Sequence, residues 1–226
     1  MDPLKQRIVL LGPPASGKGT QADRLSKTFG IPHVSTGALL RSECARETVL
    51  GREANEWTSK GLLVPDELAV RIVATWMQEH GAVFLFDGFP RTVGQAEHLD
   101  RALDHLKAPL ELVVLLELPE QEIRRRILER LSCLACGATF SSSLHGYVQG
   151  SACPNCGAPL VRRNDDTEAA LAQRLEVYNQ LTLPVVSYYE KTAPRILHRV
   201  DAGQGSDAIF AKIAVLVENK EDPANS

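Results

Sequence analysis

The sequence predicts an α/β fold built on a doubly wound, five-stranded parallel sheet, and three observations carry that reading. Five short apolar-rich runs recur: RIVLLG (7–12), IPHVS (31–35), AVFLFDG (82–88), LELVVLLEL (110–118) and RILHRV (195–200). Segments of helical periodicity separate them. Strands that are apolar throughout, rather than alternating, are what a parallel sheet covered on both faces requires. The third observation is size. With 226 residues, 44% of them hydrophobic, the chain can bury one substantial core and carry inserts.

The first run leads straight into GPPASGKGT (12–20), which fits G-x-x-x-x-G-K and opens a helix expected from Lys18 to about Phe29. Glycines let the backbone curl so that its N–H groups point into one concavity, and the helix N-terminus and Lys18 add positive charge there. Ala15, Ser16, Gly17, Lys18, Gly19 and Thr20 are therefore the candidate site for nucleoside triphosphate phosphates. Between the second and third runs lie about fifty residues of helical periodicity, GALLRSECARE, LGREANEWTSKG and PDELAVRIVATWMQEHG. That exceeds one crossover helix, so part of it should stand off as a small helical subdomain. A second excursion, Ser132 to about Asp166, separates the helical patterns EQEIRRRILER and EAALAQRLEVYNQL. Pro184 falls inside a long apolar-periodic run, where a kink or break is expected. The segment after Val217 reads as frayed.

The second excursion holds Cys133-x-x-Cys136 and, after a spacer of sixteen residues, Cys153-x-x-Cys156. Two such turns can present four thiolates tetrahedrally, a spacing typical of structural zinc, and a closed set of four leaves no coordination position for chemistry. Of the five cysteines, only Cys44 stands outside this set, and it reads as a small apolar residue on a helix face. His145, between the knuckles, reads as a surface residue. No apolar segment at the start suits a signal peptide, and no later run approaches the roughly 20 residues of a membrane span, so a cytosolic protein is expected. The net charge of −3 and the scattering of 25 Lys and Arg residues argue against a nucleic-acid-binding face. NKED (219–222) has the pattern by which GTPases read guanine, but Ile209, Phe210, Ile213, Leu216 and Val217 before it recur with helical spacing, so it reads as a solvated helix end.

Taken together and in order, GPPASGKGT, HVSTGALLR (33–41), KGLLVPDEL (60–68), FDGFPRTVGQA (86–96), RRRILER (124–130) and RRNDD (162–166) resemble the adenylate kinase family, and the cysteine-bearing insert resembles the zinc-containing lid of many of its bacterial members. The resemblance implies a core of 1–35, 65–130 and 167–226, an AMP-binding helical insert of 36–64 and a zinc-ribbon lid of 131–166. It implies reversible, Mg²⁺-dependent phosphoryl transfer from ATP to AMP giving two ADP, by a monomer with no nucleic-acid or membrane partner. Such a reaction needs no Ser, His or Cys base, because the attacking phosphate oxygen is already an anion; positioning and charge neutralisation carry it. Guanidinium forks suit that task.

By position, the resemblance makes Arg41, Arg91 and Arg163 clamps on the acceptor phosphate and the transferred group, with Arg174 reaching in from the helix after the lid. Arg126 belongs to the same arginine set. Lys18 and Arg130 become ligands of the donor phosphates. Asp87 orients hydrated Mg²⁺ beside the Thr20 hydroxyl, and Asp165 and Asp166 become lid-hinge acids. Thr36, Gln95, the backbone of Leu62, Leu63, Val64 and Gly88, and the adjoining Phe89 and Pro90 match positions around AMP. Thr139, Phe140 and Gln204 match positions near the donor adenine. The lid is expected to be too small for a hydrophobic core of its own, with a metal staple in its place. Ala38 stands where the family usually has an acid, Leu131 replaces the second Arg of a usual pair, and VDAGQG (200–205) departs from V-D-G. Two other readings are a nucleoside monophosphate kinase of different base choice, either UMP/CMP or GTP:AMP, and a nucleic-acid-binding zinc ribbon on an ATPase. Against the second, GATFSSSLHGYVQGSA carries no Lys or Arg.

Overall fold

The computed structural model describes residues 5–58, 64–163 and 166–218. In chain order its elements are β1 (Arg7–Leu11), α1 (Lys18–Phe29), β2 (His33–Ser35), α2 (Thr36–Ala45), α3 (Val49–Thr58), α4 (Asp66–His80), β3 (Phe84–Asp87), α5 (Val93–His105), β4 (Leu112–Glu117) and α6 (Glu120–Leu128). There follow β5 (Arg130–Cys133), β6 (Thr139–Ser141), the one-turn α7 (Ser142–His145), β7 (Leu160–Val161), α8 (Glu168–Val177), α9 (Leu183–Thr192), β8 (Leu197–Asp201) and α10 (Ser206–Val217).

All five expected apolar runs are strands of one parallel sheet, in the order β2-β3-β1-β4-β8. The continuous apolarity of the inner strands β3, β1 and β4 has a direct cause in the side-chain period of two. On one face Ile8, Leu10, Leu85, Leu112, Val114 and Leu116 meet Leu25 of α1, Ile123 of α6, Leu171 of α8 and Ile209 and Ile213 of α10. On the other, Val9, Leu11, Phe84, Phe86, Val113 and Leu115 meet Val73 of α4, Leu99 of α5 and Val186 and Tyr189 of α9. Every second residue thus serves a different core. IAVLV, before NKED, lies in α10; residues 219–226, with NKED and the segment expected to fray, lie outside the described residues.

Helices α2 and α3 pack against α4 around Ala54, Leu68 and Ile72, with Leu39, Leu40, Cys44 and Leu50 against them. Helices α2 and α3 approach so closely that a Cβ on Gly51 would sit 1.9 Å from the Glu43 carbonyl oxygen, which excludes any larger residue without movement.

The lid is a three-stranded antiparallel sheet, β6-β5-β7. It corrects one expectation, because it does contain a small core: Leu131, Leu160, Cys133 and Cys153 are buried, with Phe140, Tyr147 and Ala158 packed on them. Half of its fully buried members are cysteines, so core and thiol cluster are one object. Leu131, 1% exposed, is the centre of this core, which accounts for an apolar residue where an Arg is usual.

Pro184 neither breaks nor ends its helix. The chain stays helical from α8 to α9 through one π-helical turn, Tyr178–Thr182, which ends two residues before the proline. A π turn re-spaces the ladder just where Pro cannot donate, and such turns arise as single-residue bulges in α-helices.

Candidate active site

The sheet brings the ends of β1, β2 and β3 to one edge, and at β1 the chain turns to opposite sides of the sheet, where open α/β sheets form their ligand crevice. The loop after β1 hugs the sheet. Gly12 has φ 146°, and a Cβ there would lie 2.6 Å from the Leu116 carbonyl oxygen, so glycine is required. Ser16 is fully buried, Ala15 has a left-handed φ of 58°, and Gly17 caps α1 with no side-chain hydrogen bond. The first N–H groups of α1 are therefore left without side-chain acceptors, as an anion site requires. The Lys18 ammonium donates to the carbonyls of Gly12 and Pro13, both at 2.8 Å. Burial pushes Lys18 down to about 8, against the attraction of Asp87, with Arg91 adding to the depression. Thr20 is exposed on the first turn of α1, whereas Gly19 brings that turn against Asp87, Oδ2 lying 3.3 Å from where a Cβ would stand.

Asp87 ends β3. Burial would raise its carboxyl, but the His33 ring, Lys18 and Arg91 outweigh this and hold it below the usual carboxylate range. It is thus anionic and fit to orient a hydrated divalent cation. The next residues fold back on themselves. The Gly88 carbonyl accepts from Thr36 Oγ1 at 2.9 Å and from Arg91 Nε at 2.9 Å, and the Phe89–Pro90 peptide is cis. Phe89 and Pro90 are buried and Arg91 is exposed.

The Arg91 backbone N–H donates to Gln95 Oε1 at 2.8 Å, and Gln95 Nε2 donates to Asp66 Oδ1 at 2.8 Å. Thr92 Oγ1 donates to Asp66 Oδ2 at 2.5 Å and caps α5 by accepting from the Gln95 N–H. Gln95 is buried at 5% exposure. Val64 packs beneath this region between both the core and the helical insert, while Leu62 and Leu63 lie outside the described residues.

The other arginines divide. Arg130, at the start of the lid sheet, grips Asp166 with two nitrogens, Nε to Oδ2 at 2.8 Å and Nη2 to Oδ1, and Arg174 Nη1 reaches within 3.7 Å of the same Oδ1. Asp166 receives the Arg130 fork in a side chain only 3% exposed, and its N–H donates to the Arg163 carbonyl at 3.0 Å. Asp165 lies outside the described residues. Arg126 turns the other way, to Glu122 at 2.9 Å and to the Ala202 carbonyl at 2.7 Å. Arg41 is exposed, its guanidinium beside Gly37. Thr139 is exposed on β6, Phe140 belongs to the lid core, and Gln204 Nε2 is 3.4 Å from Asp201 Oδ2. Ala202, the added residue of VDAGQG, is fully buried and extends the ladder of β8 through Glu117. Ala38 is the third residue of α2 and donates to the cap Ser35 at 3.4 Å, so the usual acid there would act as a capping-box partner.

The four lid thiols lie within 4.8 Å of one another, with Cys133–Cys156 at 3.4 Å and Cys136–Cys153 at 3.7 Å and no disulfide. A tetrahedral zinc with Zn–S bonds of about 2.3 Å separates its sulfurs by about 3.8 Å, so the donor set fits. The two knuckles repeat one hydrogen-bond pattern: Cys133 N–H to Ala138 O and Gly137 N–H to Cys133 O, then Cys153 N–H to Ala158 O and Gly157 N–H to Cys153 O. Backbone donation from Cys136 is the first cause that brings the Cys133 thiol down to about 6. His145 is exposed but stacks on Tyr147 and meets Phe140 edge-on.

Two residues of this site were not singled out from sequence. His33 lies between acids, Nδ1 at 2.7 Å from Asp23 and Nε2 at 3.9 Å from Asp87. Asp66 joins the start of α4 to the loop after β3. Both sit in segments quoted for their resemblance, but only the fold, which brings α1 and β3 to His33 and the start of α5 to Asp66, gives them partners.

A family model described as adenylate kinase matches residues 10–194. Curated proteins named adenylate kinase are similar along most of the chain. That of Archaeoglobus fulgidus is 39% identical over 213 residues, 93% of this chain and 97% of its own length. That of Caldicellulosiruptor bescii is 44% identical over 186 residues, 81% and 86% of the two chains. That of Clostridium acetobutylicum is 42% identical over 209 residues, 92% and 96%. A phosphate loop closed on Lys18, an ionised Asp87 beside it and a thiol-bearing lid thus coincide with likeness over nearly the whole length, and the chain belongs to the adenylate kinase family of nucleoside monophosphate kinases.

Proposed function

We propose that this protein catalyses Mg·ATP + AMP ⇌ 2 ADP. The observation that supports it most is the junction of β1 and β3, where the phosphate loop with Lys18 abuts an ionised Asp87, followed at once by the Gly88–Arg91 turn. A phosphate oxygen of AMP attacks the γ-phosphorus of ATP; that O–P bond forms as the bond to the β,γ-bridging oxygen breaks, and the electron pair leaves on ADP. Lys18 and the α1 N-terminus hold the donor phosphates, and Arg41, Arg91, Arg163 and Arg174 hold the acceptor phosphate and the transferred group. Mg²⁺, bound with the triphosphate, would neutralise charge on its oxygens, with Asp87 and Thr20 as the residues that orient it. Arg130 joins Lys18 on the donor phosphates, Arg126 completes the arginine set, and Asp165 and Asp166 are the acids of the lid hinge.

In the same reading 36–64 receives AMP, with Thr36, the Leu62–Val64 backbone, Gly88, Phe89, Pro90 and Gln95 around the base. Residues 131–166 close over ATP, with Thr139, Phe140 and Gln204 near its base. Zinc on Cys133, Cys136, Cys153 and Cys156 would supply lid stability and no chemistry. The test is incubation with Mg·ATP and a panel of AMP, UMP, CMP and GMP while diphosphate is measured. AMP should lead by a wide margin; equal turnover of CMP would overturn the acceptor assignment.

A further inference from the structure

We infer that Asp66 is the specificity-positioning residue of the acceptor site: it fixes the orientation of the Gln95 carboxamide and so makes the site accept a 6-amino purine and refuse a 6-oxo purine. The inference rests on the proposed reading that Gln95 faces the acceptor base. Gln95 is held at both ends by partners that cannot exchange roles. A backbone N–H only donates, so the Arg91 amide at 2.8 Å must meet the side-chain oxygen. A carboxylate only accepts, so Asp66 Oδ1 at 2.8 Å must meet the side-chain nitrogen.

Asp66 is itself fixed. Its second oxygen accepts from Thr92, whose hydroxyl is simultaneously the cap of α5, and Gly94 leaves room for it, since a Cβ there would stand 3.2 Å from Oδ2. Turning the Gln95 amide over would place C=O against carboxylate and NH₂ against N–H. After these bonds the carboxamide keeps one lone pair and one N–H. In the fixed order, acceptor and donor match the N6 amino group and N1 of adenine. Hypoxanthine reverses both, with O6 accepting and N1–H donating. A site built to hydrogen-bond one pattern rejects its inverse because buried groups are left unpaired.

The experiment compares kcat/KM for AMP and inosine monophosphate, with Mg·ATP as donor, in the wild type, Asp66→Ala, Asp66→Asn, Gln95→Ala and Asp66→Ala/Gln95→Ala. Asp66→Ala should lower the AMP:IMP ratio by about 10-fold or more, the worth of one hydrogen bond to a charged group, because only the Arg91 N–H then opposes the turned-over Gln95 that IMP needs. Asp66→Asn, which keeps shape and the Thr92 contact, should move the ratio the same way and carries the test if the alanine variant does not fold. In the Gln95→Ala background the Asp66 substitution should leave the ratio unmoved. Asp66 variants that slow AMP and IMP alike, at a constant ratio, would mark a purely structural residue and overturn the inference. So would a ratio change that persists without Gln95. A wild type that phosphorylates neither acceptor would overturn the functional reading as well, a result distinct from an AMP-active enzyme with an unmoved ratio.

Discussion

His33 Nε2 lies 3.9 Å from Asp87 Oδ2, too far for a hydrogen bond, and among the described residues this buried nitrogen has no hydrogen-bond partner. Burial pushes the ring down, but Asp87 and Asp23 together outweigh it and raise its pKa. A raised histidine contributes fully below its unfolded value of about 6.5 and loses that contribution as pH rises through the folded value. His33→Gln should therefore lower Tm more at about pH 6 than at about pH 9. Calorimetric scans of both proteins across that range check it, and a constant gap would show that His33 stays neutral.

Lys18, pushed down to about 8 without a nucleotide, must carry its proton to hold phosphate. Above about pH 8 the free protein therefore takes up a proton as ATP binds, and affinity should fall by up to about tenfold per pH unit. Titration calorimetry in two buffers of different ionisation enthalpy reads the uptake directly. It should vanish in Lys18→Met.

Arg91→Ala should lower kcat by about 10²- to 10³-fold, the usual loss for one electrostatic ligand of a transition state. Tm should change far less than turnover, because the guanidinium hydrogen-bonds the Gly88 carbonyl of its own turn, and Asp87, which it helps to hold ionised, keeps His33 and Lys18 as neighbours. Near-native turnover in this variant would make Arg91 a surface charge.

Cys153→Ser should release zinc and lower the melting temperature of the lid while the parallel sheet stays folded. Cys153 is both a candidate ligand and one of the four buried residues of the lid core, so one substitution strikes both supports. Some ADP formation should persist below that temperature, because Lys18 and Asp87 do not depend on the lid fold. Metal analysis of the wild type beside calorimetry of the variant decides it; a zinc-free wild type of undiminished stability would remove the staple.

The core was legible because its pattern is doubled. Ile8 and Val9, neighbours in sequence, enter opposite hydrophobic layers, and that demand leaves a run no polar residue can interrupt. The phosphate loop was legible because its glycines are backbone necessities, as Gly12 shows against Leu116. The four thiols were legible from spacing alone. What the sequence hid depends on distant partners. Leu131 reads as a lost arginine without Leu160 beside it in the lid core, and nothing near Asp66 in the sequence points to Gln95, 29 residues away, whose Nε2 donates to its carboxylate. Pro184 announced a disturbance, but whether the helix bends, breaks or widens is settled by packing of both flanks on the sheet.

The π turn between α8 and α9 acts as a rotational index. Two faces must be satisfied along one continuous rod: Arg174 must point toward Asp166 at the lid exit, while Val185, Val186 and Tyr189 must face the sheet. One residue of an α-helix is about 100° of rotation. Removing a single residue from Tyr178–Thr182 would restore regular winding and swing one face off its target by about that angle, a displacement no rotamer can recover. Thr182, whose hydroxyl donates to the Arg91 carbonyl at 3.1 Å, is the tooth that locks the index. The length of this stretch, more than its composition, therefore sets where the two flanking faces point.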